Sequence, residues 1–113
     1  MSSFNKNYTA GDVISIAFFR HEDDSNGEPR WIICVEDLQD EIIAVPLKST
    51  ISHQSQQPNS IIIDSESEEG KRMGLKNTSL IAPNRARQIP KPEGIKRGSC
   101  SEDFLDRLLE LIP

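Results

Sequence analysis

With 113 residues, 35% of them apolar and only six aromatic, the chain has material for one modest aliphatic core and not for two domains. No apolar run approaches the ~18 residues that cross a bilayer as a helix, and residues 1–9 lack the charged start and apolar stretch of a signal peptide, so a cytoplasmic protein is expected. The net charge of −5 hides an asymmetry: residues 71–97 carry eight cations against the single acid Glu93, which reads either as a polyanion-binding face or as a solvated surface.

Residues 1–10 are polar and read as a loose N-terminal segment. The first predicted strand opens at Gly11-Asp12 and covers 13–19, rich in β-branched and aromatic side chains. Residues 20–29, centred on Glu22-Asp23-Asp24-Ser25-Asn26-Gly27, have turn chemistry and form a polar loop. The second strand spans 30–36, and its unbroken apolar run from Trp31 to Val35 predicts burial on both faces; Cys34 within it reads as a small hydrophobe. A short acidic turn over 37–40 leads into the third strand, 41–47, making a central hairpin.

Residues 48–60, rich in Ser, Gln and Asn without periodicity, read as a surface loop. A short strand at 61–63, a charged connector at 65–72 and a turn at 74–78 precede a strand at 79–82. Arg87-Gln88-Ile89 would extend that strand, with Pro83 placing it at an edge or bulge. Pro90 and Pro92 break regular structure. Ser101 is a good N-cap, Glu102 and Asp103 suit a first turn, and Phe104, Leu105, Leu108, Leu109 and Ile112 share one helical stripe. The expected fold is one domain over 1–113, mainly β (α+β), antiparallel and closed by a C-terminal helix. Neither Cys34 nor Cys100 has a CxxC partner or a histidine at ligand spacing, so no metal or redox site is read and no cofactor is expected.

Six segments, in order, resemble the MazF/PemK family of toxin ribonucleases of the CcdB/MazF superfamily. Gly11-Asp12-Val13-Ile14 is similar to the family's opening strand, and Arg30 stands where an arginine begins its second strand. Pro46-Leu47-Lys48-Ser49 resembles the Pro-hydrophobic-Thr-Ser turn. Gly74-Leu75-Lys76 through Ser79-Leu80-Ile81 resembles a Gly-Leu-x-x-x-Ser-Val-Val segment, and Arg87-Gln88-Ile89-Pro90-Lys91 an Arg-Thr-Ile-x-Lys ending. Residues 95–101 lead into the helix as the family's linker does. Trp31, Lys48 and Asn84 depart from the family's proline, threonine and aspartate.

The resemblance implies an SH3-like, partly closed barrel and a homodimer. It also implies a type II toxin–antitoxin function, with single-stranded RNA as substrate and an antitoxin protein as partner. Family enzymes, or mRNA interferases, inhibit growth by cutting RNA without metal, through attack of the ribose 2′-hydroxyl on the adjacent phosphorus. Arg30 would stabilise the charged phosphorane; from residue type alone it reads as an ion pair with the acidic loop before it. Ser49, backed by Thr50, would hold the scissile phosphate or the 2′-hydroxyl, or else simply starts a polar loop. Lys48 is a phosphate contact or an exposed lysine. His21, beside Glu22, has the free pKa of ~6.5 that suits acid or base work, or is a solvated loop residue. Arg85 and Arg87 would extend the phosphate surface, and Asn84 would read a base edge. Trp31 is assigned to core packing before RNA stacking, and the helix stripe to core or dimer contact before an antitoxin groove. The alternative function is a catalytically degenerate protein-binding module of the same fold.

Overall fold

Three long strands rich in β-branched side chains set the architecture of the computed structural model, which describes residues 8–19, 28–49 and 60–112, with the backbone alone at 17–19 and 28–30. These are β1 (Asp12–Phe19), β2 (Glu28–Asp37) and β3 (Glu41–Ser49), joined as antiparallel neighbours. The chain continues through β4 (Ile61–Ile63), α1 (Glu68–Met73), β5 (Ser79–Ile81), a 3-10 turn (Pro83–Arg85), β6 (Arg87–Pro90), β7 (Gly94–Ser99) and α2 (Glu102–Leu111). The sheet order is β4-β5-β3-β2-β1-β7, with β6 also paired to β3 and every pairing antiparallel.

The central hairpin is buried on both faces, as its apolar runs predict. On one face Val13, Ile33, Val45 and Ile81 pack with Met73, Phe104 and Leu108 from the two helical segments. On the other, Ile14, Ile32, Cys34, Ile42 and Ala44 pack with Tyr8 and Ile89. Dividing the core of the described residues into eleven buried side chains on one face and seven on the other lets a small sheet bury the centre of its middle strands, at roughly 1.5–3 kcal/mol for each large side chain taken from water.

Several expectations are corrected. The third strand runs on through Lys48 and Ser49, because Ser49 pairs with Ser79 and Lys48 with Leu80. Residues 65–72 are not merely a connector, since α1 begins within them at Glu68. Ser67 caps it by accepting from the Gly70 N–H at 3.0 Å, Glu68 and Glu69 sit in its first turn, and Gly74 ends it at φ 74. Residues 94–99 form edge strand β7 instead of a linker. Arg87–Pro90 does continue along the β3 edge begun by β5, but after a break: Pro83 opens the 3-10 turn, and pairing resumes with Arg87 opposite Ala44. Pro90 closes β6 instead of excluding it. The N-terminal segment is held from residue 8 on. The Tyr8 hydroxyl donates to the Pro92 carbonyl at 2.7 Å and accepts from the Gly94 N–H at 3.1 Å. Leu109, assigned to the buried helix stripe, is 46% exposed, while Phe104 and Leu108 are buried as expected.

The Gly-Asp pair at the start of β1 has structural work. The Gly11 N–H donates to the Cys34 carbonyl, and its own carbonyl accepts from Cys100. Asp12, only 3% exposed, accepts from the Thr9 N–H at 2.8 Å and pairs with Lys96 at 3.1 Å, so its buried charge is compensated. At β7 the main chain of α1 approaches closely. A Cβ on Gly98 would lie 2.5 Å from the Arg72 carbonyl oxygen, and one on Gly74 would collide with the Arg97 carbonyl.

Candidate functional site

Residues directly opposite one another on an antiparallel sheet present side chains to the same face. One such row crosses four strands of the fold: Ser15 on β1 faces Trp31 on β2, Trp31 faces Leu47 on β3, and Leu47 faces Ile81 on β5. The helices cover the neighbouring row of Val13, Ile33 and Val45. Around Trp31 and Leu47 the same face opens into a groove of about 320 Å³.

The apolar part of this groove is Trp31, Leu47 and Leu75. Its polar groups arrive from three places: Lys48 and Ser49 at the end of β3, Lys76, Asn77 and Ser79 where the chain enters β5, and Arg97 of β7. Arg97 reaches it through a β-bulge. Val13 pairs with Gly98 and Ile14 with Lys96, so Arg97 is the extra residue between two consecutive rungs. Bulges bend a strand and re-aim the inserted side chain. Here Arg97 Nε donates to Ser15 Oγ at 2.9 Å, and the guanidinium carbon lies 5.7 Å from the centre of the Trp31 ring. Such a cation–π contact contributes about 0.5–1 kcal/mol where solvent reaches it.

Among the described residues Lys48, Lys76 and Arg97 give the groove three cations, and no carboxylate lines it. None of the three has a carboxylate partner among the described residues, whereas Lys91 and Lys96 are committed to Asp37 at 2.9 Å and to Asp12. Of the cation-rich stretch in the sequence, Lys76 and Arg97 therefore face the groove, while Lys91 and Lys96 serve the fold. The arrangement can hold an anion beside a flat apolar group.

Of the site residues expected from sequence, Lys48 and Ser49 are brought together here. Arg30 lies on β2 next to Trp31, with its Cα opposite Ile16, and its side chain lies outside the described residues. His21 and Thr50 also lie outside them. Asn84 and Arg85 occupy the 3-10 turn and Arg87 begins β6 opposite Ala44. Four positions along β3 separate Ala44 from Lys48, about 13 Å of strand, and none of the three lines the groove. Trp31 packs against the core as expected and also lines the groove, a second role the sequence reading ranked lower. Lys76, Asn77 and Arg97 were not singled out as site residues; the local excess of cations was the signal for Lys76 and Arg97, and none pointed to Asn77.

The cysteines are not poised for chemistry. Burial first, then the charges of Asp12 and Asp37, push the Cys34 thiol up to about 11; burial first, then Glu69 and Asp12, push Cys100 up to about 12. Among the described residues no three His, Cys, Asp or Glu side chains gather as metal ligands would, and no helix is long and apolar enough to cross a membrane. Compared with known proteins, the chain matches no family model and no curated relative.

Proposed function

We propose that this chain is a MazF/PemK-like endoribonuclease toxin, an SH3-like partly closed barrel that binds single-stranded RNA in the groove at the end of β3 and cuts it without metal. A homodimer restrained by an antitoxin protein in the cytoplasm completes the reading. The observation that supports it is the composition of the groove: three cations and Ser49 around an accessible tryptophan, with no carboxylate among the described lining residues. A positive channel with an aromatic surface is the general solution for single-stranded nucleic acid.

In the proposed reaction the 2′-oxygen attacks phosphorus while its proton passes to a base. The bond from phosphorus to the 5′-oxygen breaks and that oxygen takes a proton, leaving a 2′,3′-cyclic phosphate and a 5′-hydroxyl end. Trp31 pairs with Leu47 across the antiparallel ladder, so continuing that register by one residue sets Arg30 across from Lys48. They supply charge for the phosphorane, Ser49 orients the 2′-hydroxyl, Thr50 supports it and His21 is the candidate for proton transfer. The test is incubation of the purified chain with mixed RNA in a chelator. The expected result is cleavage to cyclic-phosphate ends, abolished by Arg30→Ala; equal RNA loss in both proteins, or none in either, overturns the reading.

A second reading has a specific observation behind it. Among the described residues the groove has neither carboxylate nor imidazole to move a proton. A catalytically degenerate module of the same fold would bind its partner and leave RNA intact, which the same incubation distinguishes.

A further inference from the structure

The groove contains one arrangement that phosphate binding alone does not require. Three point charges would hold a phosphodiester without any flat surface, yet Arg97 is inserted by a bulge, tethered at Nε by Ser15 and laid over Trp31. Binding Nε to a hydroxyl leaves the terminal amino groups of the guanidinium for another acceptor. The tethered plane is also pre-organised, so little side-chain entropy is lost when a ligand stacks on it.

We infer that Trp31 and Arg97 form a stacking seat for one unpaired nucleobase of an RNA strand, with Asn77 at its edge and Lys48 and Lys76 on the flanking phosphates. This rests on the reading of the groove as an RNA site and adds to it which residues choose the nucleotide. A volume of about 320 Å³ is at the small end of ligand clefts, which run ~300–1,000 Å³, and suits a single nucleotide better than a stacked run. Asn77 is the one amide side chain among the described lining residues, and an amide presents a donor and an acceptor side by side, the pattern that reads a base edge in two bonds. Lysines contact phosphate of any sequence, so the preference for one base falls to Asn77 and to the stack. An acidic peptide would satisfy the three charges and pair with the edge of the guanidinium, but its carboxylates offer no flat ring to lie on the guanidinium face or on Trp31.

The chain has a single tryptophan, so its emission reports on the seat directly. The probe is a short single-stranded RNA of mixed sequence at low salt, with inorganic polyphosphate and an oligoglutamate as charge controls. RNA is expected to quench the emission saturably. Arg97→Ala is expected to weaken RNA binding about tenfold, the scale of one lost base stack. Arg97→Lys, which keeps the charge and loses the plane, is expected to weaken it nearly as much. Asn77→Ala is expected to flatten the preference among RNA sequences while leaving the mean affinity within about threefold. Thermal unfolding of each variant checks that the fold is kept, and Asn77→Ala, on an exposed turn, keeps the inference falsifiable should an Arg97 variant misfold. RNA that binds or is cut with tryptophan emission unchanged overturns the seat alone. Full affinity in Arg97→Lys does the same. Polyphosphate or oligoglutamate binding as tightly as RNA, or no RNA binding at all, overturns the seat together with the reading of the groove.

Discussion

The carboxylate of Glu69 in α1 accepts both the backbone N–H and the hydroxyl of Ser101, at 2.8 and 2.6 Å, while the same hydroxyl accepts from the Phe104 N–H at 3.2 Å. The N-cap of one helix is thereby bonded to a side chain of the other. Glu69→Ala removes the acceptor of two bonds and is expected to cost about 1–3 kcal/mol, with Ser101→Ala costing about 0.5–2 kcal/mol. Chemical denaturation of both single variants and the double variant checks this. The double variant should lose less than the sum, because the two residues share one network.

The cations divide into those that line the groove and those that lie off it. Lys48→Ala and Lys76→Ala are each expected to reduce the salt dependence of RNA binding by roughly 0.7 in the log–log slope, the value of one phosphate contact on a single strand. Arg85→Ala and Arg87→Ala, which lie off the groove, are expected to leave that slope unchanged. Binding isotherms across a salt series measure all four.

Acid stability has one identifiable contributor. Asp37 accepts from the Lys91 ammonium and then from the Gln39 N–H, both at 2.9 Å, and these bonds hold its carboxyl below the usual carboxylate range. A depressed pKa in the folded state gives stability that is complete above the unfolded value of ~3.9 and is lost as pH falls through the folded value. The Tm difference between the wild type and Asp37→Asn should therefore stay constant from about pH 7 to 5 and close below about pH 4, as thermal melts across that range would record.

Both thiols should resist alkylation in the native state. With pKa values pushed up to about 11 and 12, Cys34 and Cys100 hold roughly a thousandth or less of their sulfur as thiolate at pH 8. Labelling with iodoacetamide is expected to be slow in buffer and to become fast for both residues in denaturant, as read by mass spectrometry.

What could be read beforehand follows a physical divide. Strands buried on both sides, such as 31–35 and 42–45, announce themselves through unbroken apolar runs, and α2 through Ser101 and its stripe. β7 could not be read in that way. Gly-Ile-Lys-Arg-Gly-Ser is a polar edge strand whose glycines are demanded by neighbours distant in sequence. The short α1 carried its cap and charge signals at Ser67, Glu68 and Glu69, but six residues containing Gly70 show no periodicity. At the site, Lys48 and Ser49 were singled out by the resemblance of Pro46-Leu47-Lys48-Ser49 to a family turn, and not by any pattern of their own. Arg97 was legible only as one cation among many, because a bulge is a property of pairing register. Asn84, Arg85 and Arg87 lie off the groove because the 3-10 turn at Pro83 carries the chain to the other half of β3.

The contact of Gly74 with the Arg97 carbonyl has a mechanical consequence. The residue whose side chain lies over Trp31 is the one whose main chain is pinned beneath the end of α1, and α1 is fastened to α2 by Glu69. A continuous chain of contacts thus joins the main chain of Arg97 through α1 to the N-cap of α2. The lettering beyond that joint, Lys76 and Asn77, hangs from the same anchor, so those two side chains can be exchanged without disturbing the frame that presents them.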